Sequence, residues 1–235
     1  MTHPVLALQE ADSAVDQLRH RRQHLAEREA LATTQRALAE WERTRASIIE
    51  RLAELAATVE RCEHESHEID VHRERLQKQL RTVIAPREAE ALQHEIATLE
   101  QRRGELDDAG LQALEEQAQL DDDLTALAAR EQGLREDVLN AETALAAAES
   151  DIDSVLVEAT ERVEAARAEL DAGLLARYDG LRSHDRVAAA LLSGTRCEGC
   201  HLDLSAHEVE EARAAAADAD GLTDCPQCGR LLVVP

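Results

Sequence analysis

The chain has 235 residues, 44% of them apolar and 32% charged, with a formal net charge of −23, no Phe, and one each of Trp, Tyr and Met. So few large side chains cannot fill a broad globular core, and Ala, Leu, Glu and Arg recurring at a period near 3.5 imply coiled coil instead. The acidity disfavours whole-surface attraction to nucleic acid or anionic lipid, and no run of apolar residues is long enough for a transmembrane helix.

The N-terminus shows no basic segment followed by an apolar one, so a cytoplasmic protein is the default expectation. Apolar spots at Leu8, Ala11, Val15, Leu18 and Leu25 begin a helical series. The register slips before Leu31, Leu38 and Trp41, which predicts a kink or a change of winding. His20 and His24 lie one helical turn apart, but Arg19, Arg21 and Arg22 surround them and repel a cation, so a solvated helix face is expected. His64-Glu65-Ser66-His67 does not have the metalloprotease HExxH spacing, and no catalytic zinc is expected there.

From Trp41 the apolar positions step by alternating four and three through Ile48, Leu52, Leu55, Val59, Cys62, Ile69, Leu76, Leu80 and Val83. The series then fails, and Pro86 follows. Proline removes a backbone donor and clashes with the preceding helical turn, but it is tolerated at a helix start. The reading is a hairpin turn near residues 84–88, with Pro86 opening the second helix. A new series runs from Leu92 through Leu106, Leu120, Leu134 and Leu145 to Ala159, keeping register through Gly104 and Gly110. Layering the arms antiparallel makes facing residue numbers sum to 172 or 179; a sum of 172 centres the turn on Pro86 and pairs Leu80 with Leu92 and Leu52 with Leu120. That register also puts Arg45 one layer from Glu131, a core polar pair able to specify alignment.

Charge is uneven along the arms. Residues 105–123 carry eight acids and no Lys or Arg, whereas 71–87 carry five basic residues and one acid. The basic tip is a candidate anion contact, set against a solvated, internally paired face. Heptads fade over 171–196, and the domain boundary is placed near Leu181–His184. This gives a hairpin domain over 1–181 and a second domain over 182–235.

The strongest chemical signal is Cys197-Glu-Gly-Cys200, 24 intervening residues, and Cys225-Pro-Gln-Cys228. A structural zinc wants four tetrahedral ligands, and two close cysteine pairs supply them. Two disulfides fit poorly with a chain lacking a secretion signal, and a redox dithiol needs no duplicate. Gly199 and Gly229 are expected to permit the knuckle turns. Cys62 occupies a core position as an ordinary small residue. Between the knuckles, Ser205-Ala-His-Glu208 reads as a capping box opening a helix to about Ala217. Asp220-Gly221 marks a turn, and Leu231–Val234 reads as a strand. The alanines of Val187–Leu192 favour helix locally. A small ribbon nevertheless needs strands flanking both knuckles, so a strand pairing with Leu231–Val234 is expected.

Taken together the chain resembles the C4-type zinc-ribbon proteins with a long N-terminal coiled-coil hairpin. The resemblance rests on Arg87-Glu88-Ala-Glu90-Ala91-Leu92-Gln-His-Glu95-Ile96, on Leu174-Leu-Ala-Arg177-Tyr178, and on the two cysteine knuckles with Gly229-Arg230-Leu-Leu. It implies a mainly α fold with a small β-containing ribbon and one structural Zn²⁺. It also implies a nucleic-acid-binding protein or an adaptor for transcription and export machinery. From Cys197 onward this chain has eight acids and only two arginines, Arg213 and Arg230. A phosphate-gripping ribbon should be basic. The candidate nucleic-acid contacts are therefore Arg177, Arg182, Arg186 and Arg196 near the junction, and the hairpin tip. The expectation is a non-enzymatic adaptor meeting protein partners through coiled coil or ribbon, without a membrane contact. The chain is expected to be monomeric, with weak dimerisation as the alternative.

Overall fold

The computed structural model describes residues 3–217 and 219–235. Helix α1 spans Pro4–Gln23, α2 Ala26–Leu80, α3 Pro86–Ala168 and α4 Ala172–His184. Strand β1 (Ala189–Ser193), β2 (Arg196–Cys197), helix α5 (Ala206–Ala217), β3 (Leu222–Asp224) and β4 (Leu231–Val233) complete the chain. Two compact units result. One is Ala30–Ala141, and the other joins the chain up to Glu29 with Glu142–Pro235.

Within Ala30–Ala141, α2 and α3 form the hairpin, and Pro86 is the first residue of α3. A Cβ built on Gly110 would lie 3.7 Å from the Cβ of Cys62, so these two positions face each other in the 172 register. The indole Nε1 of Trp41 donates to the Leu127 carbonyl at 2.9 Å. Arg51 grips Glu116 through both carboxylate oxygens at 2.7 and 2.9 Å. Arg103 donates to Asp70 at 2.9 Å. The expected Arg45–Glu131 pair does not form. Arg45 is exposed and its guanidinium lies 5.8 Å from the Trp41 ring centroid, while Glu131 pairs with Arg135 on its own helix at 2.9 Å. An extended arginine on a coiled-coil flank reaches water more cheaply than it reaches a core partner. The alignment device at this level is the Trp41 hydrogen bond.

In the other unit, α1 starts with Pro4 at its first turn and His3 as N-cap, whose Nδ1 accepts from the Val5 N–H at 3.2 Å. The register slip becomes a helix break at His24–Leu25. Arg22 binds Asp153 at 2.7 and 3.0 Å, tying α1 to α3. The His20 and His24 rings lie 4.1 Å apart, and neither belongs to a metal-capable cluster among the described residues.

The ribbon is a four-stranded sheet in the order β2-β1-β4-β3. β1 and β4 pair in parallel, Ala189 with Leu231 and Leu191 with Val233, while β1–β2 and β3–β4 are antiparallel. The strand expected over Val187–Leu192 therefore exists, starting at Ala189. Gly194, at φ +63°, opens the two-residue β1–β2 turn, as a type II′ hairpin requires. Side chains alternate across the sheet. Ala189, Leu231 and Val233 pack with Val5, Leu8 and Tyr178, while Ala190, Leu192, Leu232 and Val234 pack with Val209 and Ala212 of α5. Burial on both faces explains why the strands are apolar without a polar alternation. It also explains the alanines, since helix and knuckle approach the sheet closely on either side.

Candidate metal centre

The first knuckle follows β2 and the second follows β3. Both have one backbone pattern. The Cys197 N–H donates to Leu202 O at 3.1 Å, and the His201 N–H donates to Cys197 O at 2.8 Å. The Cys225 N–H donates to Arg230 O at 2.9 Å, and the Gly229 N–H donates to Cys225 O at 2.8 Å. The fourth residue after each leading cysteine takes a positive φ, +61° at His201 and +71° at Gly229. Glycine is therefore used for its backbone at position 229. At Gly199 the reason differs from the expected turn. A Cβ there would lie 2.8 Å from the Ala190 Cβ and 3.1 Å from Arg230 Cδ, so close packing on β1 excludes a side chain.

The knuckles bring the sulfurs of Cys197, Cys200, Cys225 and Cys228 within 4.8 Å of one another. A tetrahedral site with Zn–S bonds of about 2.3 Å has sulfur–sulfur edges of about 3.8 Å, so the set fits a C4 zinc after small adjustments. Backbone N–H groups of Gly199 and Cys200 point at the Cys197 sulfur, and those of Gln227 and Cys228 at the Cys225 sulfur. Burial pushes the Cys197 thiol above its ordinary value, and pushes Cys225 up to about 12. A dication reverses that preference, because a coordinating thiol is deprotonated outright. Cys62 stands apart, buried in the hairpin. His201 and His207 are not in the cluster; His207 lies 3.4 Å from Glu211 on α5.

The helix between the knuckles starts as expected. The Ser205 N–H donates to Glu208 at 2.7 Å, and the Glu208 N–H donates back to Ser205 Oγ at 3.3 Å. These bonds hold the Glu208 carboxyl below its usual range. Gln227 of the second knuckle donates to the same carboxylate at 2.7 Å.

A second layer of polar contacts anchors the ribbon, and sequence reasoning missed most of it. The Gln9 carbonyl oxygen accepts from the Ala188 N–H at 2.7 Å and the Ala189 N–H at 3.2 Å, capping the entrance to β1. Its amide nitrogen donates to Arg186 O at 3.2 Å. Tyr178, fully buried, donates to Asp12 at 2.8 Å. Burial and then Asp12 raise the phenol well above its ordinary range. Arg230 donates to Val187 O and Asp185, both at 2.8 Å, while packing on Gly199. A polar residue such as Asp12 in phase with Leu8 and Val15 was the available signal, but one sequence cannot separate it from a solvated face.

The four candidate arginines divide. Arg177 pairs with Asp224, and Arg182 pairs with Asp16 at 2.9 Å and Asp12 at 3.2 Å. Arg186 and Arg196 are exposed, and neither has a carboxylate within salt-bridge distance among the described residues. The structure thus brings Arg177 and Arg182 to carboxylates of this chain rather than into one open basic face. No helix among the described residues is long and apolar enough to cross a membrane.

Comparison with known proteins agrees with this geometry. Residues 8–186 match the CT398-like coiled coil hairpin domain, and residues 196–232 match the C4-type zinc ribbon domain. Uncharacterized proteins from two Mycobacterium tuberculosis strains are 30% identical over 97% of this chain and 93% of their own. The solved structure of CT398 from Chlamydia trachomatis superposes with a TM-score of 0.82 at 19% identity, covering 99% of this chain and 96% of that one. HP0958 from Helicobacter pylori gives 0.63 at 15% identity, over 98% and 95%. The chain belongs to the CT398-like coiled-coil hairpin family with a C-terminal C4-type zinc ribbon, and one structural Zn²⁺ is its cofactor.

Proposed function

We propose that this chain is a non-enzymatic zinc-binding adaptor that presents its ribbon to protein partners of the transcription or secretion machinery in the cytoplasm. Cys197, Cys200, Cys225 and Cys228 are assigned as the zinc ligands, and the chain divides into a hairpin over 1–181 and a ribbon over 182–235. The observation that carries the reading is the donor set. Four converging thiols fill a tetrahedral zinc and leave no position for water or substrate, whereas a catalytic zinc keeps one open. The described residues hold no other metal-capable group of three or more His, Cys, Asp or Glu. The contacts of Gln9 and Arg230 support a presenting role, because they couple the ribbon to α1 and to the end of α4.

Nucleic-acid binding through Arg177, Arg182, Arg186 and Arg196 is the weaker reading, since two of the four already have carboxylate partners. Crosslinking in the protein's own cell, followed by identification of what is attached, separates the two. The adaptor reading expects protein partners that are lost with Cys197→Ser and kept when the two exposed arginines, Arg186 and Arg196, become Glu. Recovery of RNA or DNA as the principal partner, lost in the arginine variant, overturns it.

A further inference from the structure

The two knuckles share one backbone pattern but not one set of side chains. Leu202 and Arg230 hold equivalent positions, since each offers its carbonyl to the N–H of the leading cysteine. Leu202 is 52% exposed, whereas the Arg230 side chain is only 15% exposed and turns inward across the other knuckle. Its Cδ lies 3.1 Å from where a Cβ on Gly199 would stand. The guanidinium donates to Val187 O and to Asp185 Oδ2. It also hydrogen-bonds the Cys228 sulfur and lies in the field of the Cys200 sulfur. These two cysteines are the half-buried members of the four, while Cys197 and Cys225 are buried. Arg213, the only other Lys or Arg from Cys197 onward, is exposed on α5.

We propose that Arg230 is an outer-layer residue of the metal centre, whose guanidinium offsets charge on the Cys228 side of the thiolate set and thereby slows loss of the metal. The proposal rests on the assignment of the four cysteines as zinc ligands. Loading a C4 site releases the thiol protons and leaves a dianionic unit of one Zn²⁺ and four thiolates. A cation held at the edge of that unit favours the loaded state, and more strongly in a half-buried setting than in water. An N–H donated to a metal-bound sulfur also draws electron density from it, so the sulfur is less readily protonated or displaced. The knuckle backbone does not by itself call for an arginine, because Leu202 supplies the same backbone bond in the first knuckle. Asp185 and Val187 O act as positioning partners. They hold the planar guanidinium in place beside the sulfur, a geometry that a lysine ammonium reproduces only in charge.

Two measurements on the full chain test this: the rate of Zn²⁺ transfer to a chromophoric chelator, and the sulfur-to-metal charge-transfer band of the Co²⁺-loaded protein. Arg230→Met keeps the stem that packs on Gly199 and removes the charge and the donors. It should release Zn²⁺ at least about tenfold faster than wild type, the lower end of what loss of an outer-layer partner costs in metal affinity. Its Co²⁺ band should move to longer wavelength, because the sulfur electrons are held less tightly. Arg230→Lys, which keeps the charge, should recover part of both. Asp185→Asn keeps an acceptor oxygen and removes the carboxylate that competes for the guanidinium, so it should release Zn²⁺ no faster than wild type. A residue that only straps the ribbon to the end of α4 gives a different pattern. Asp185→Asn and Arg230→Met would then release metal equally fast, with the Co²⁺ band unmoved, and either result overturns the proposal. Release from Arg230→Met at the wild-type rate does so too. Should Arg230→Met fail to load metal, the comparison passes to Arg230→Lys and Asp185→Asn, and the proposal falls unless the first releases faster than the second. A wild-type chain that binds neither Zn²⁺ nor Co²⁺ refutes the ligand assignment itself, and the role of Arg230 with it.

Discussion

The hairpin unit and the ribbon-bearing unit are held together by opposite strategies. Among the described residues of Ala30–Ala141, only Trp41, Leu55, Cys62, Leu76, Leu106 and Ala113 are buried apolar side chains. They are spread along a seam in which each layer resembles the next, and the ion pairs beside them are exposed, as at Arg51–Glu116, or half-buried, as at Arg103–Asp70. The ribbon-bearing unit instead concentrates two clusters on the two faces of one small sheet. Its hydrogen bonds join residues up to 180 positions apart, as Gln9 does with Ala189. A seam of near-equivalent layers tolerates the loss of one, whereas a small core with unique contacts does not. The contrast predicts large, localised effects in the ribbon and small, gradual ones in the arm.

The largest effect should follow zinc loss. Structural zinc contributes on the order of 10 kcal/mol to small sites, more than such a sheet can supply by itself. Cys197→Ser or chelation should abolish amide protection across β1 and β4 together while most helical circular dichroism remains. Protection of 189–193 that survives chelation would mean that β1 belongs energetically to the helices and would blur the contrast.

Two substitutions probe the ribbon without touching a thiol. Gly199→Ala forces a Cβ to 2.8 Å from the Ala190 Cβ, and overpacking of this kind costs about 1–3 kcal/mol. Gln9→Ala leaves the Ala188 N–H buried without its acceptor, at a cost of about 1–3 kcal/mol. Each should be read as a fall in denaturant midpoint for exchange of the β1 amides. The hairpin amides should be unaffected, and equal loss in both units would contradict the comparison.

In the arm the expected sign is reversed for some changes. Gly104 and Gly133 lie inside α3, and a Cβ built on either meets nothing within 4 Å. Replacing either by Ala should therefore stabilise the hairpin by roughly 0.5–1 kcal/mol, the helix-propensity difference. Thermal melts of the single and double variants check this, and near-additivity is expected for sites so far apart.

The same contrast explains what the sequence made legible. A repeated local pattern shows through a single sequence, so the hairpin, Pro86 at the start of α3, the facing of Cys62 and Gly110 and a kink or change of winding before Leu31 were readable, although that change is a full helix break and lies at His24–Leu25. The cysteine spacing, the Ser205–Glu208 box and the pairing of β1 with β4 were readable too, because each is a short motif or an obligatory hydrogen-bonding need. Long-range single contacts were not. Nothing local in Gln9 says that it caps a strand some 180 residues away, and nothing in Arg230 marks its bond to Val187 O. Arg45 shows the converse error. A position in the heptad series suggested burial, but the side chain is long enough to lie over Trp41 and stay in water.

The smallest predicted effect belongs to the Arg51–Glu116 pair, which joins α2 to α3 across the hairpin. The hydrogen bond from Arg51 holds the Glu116 carboxyl below its ordinary value. A carboxylate with a lowered folded-state pKa contributes stability that is complete above its unfolded value, near 4.3, and is lost as pH falls through the folded value. Glu116→Gln should therefore lower the hairpin's melting temperature slightly at neutral pH and leave it unchanged at about pH 2, where wild type and variant are both uncharged at this position. Because both groups are solvent-exposed, the neutral-pH difference should also shrink in high salt. A difference that persists at about pH 2 would mean that the carboxylate's shape, rather than its charge, matters at this layer, and that the arm contains a position as specific as those in the ribbon.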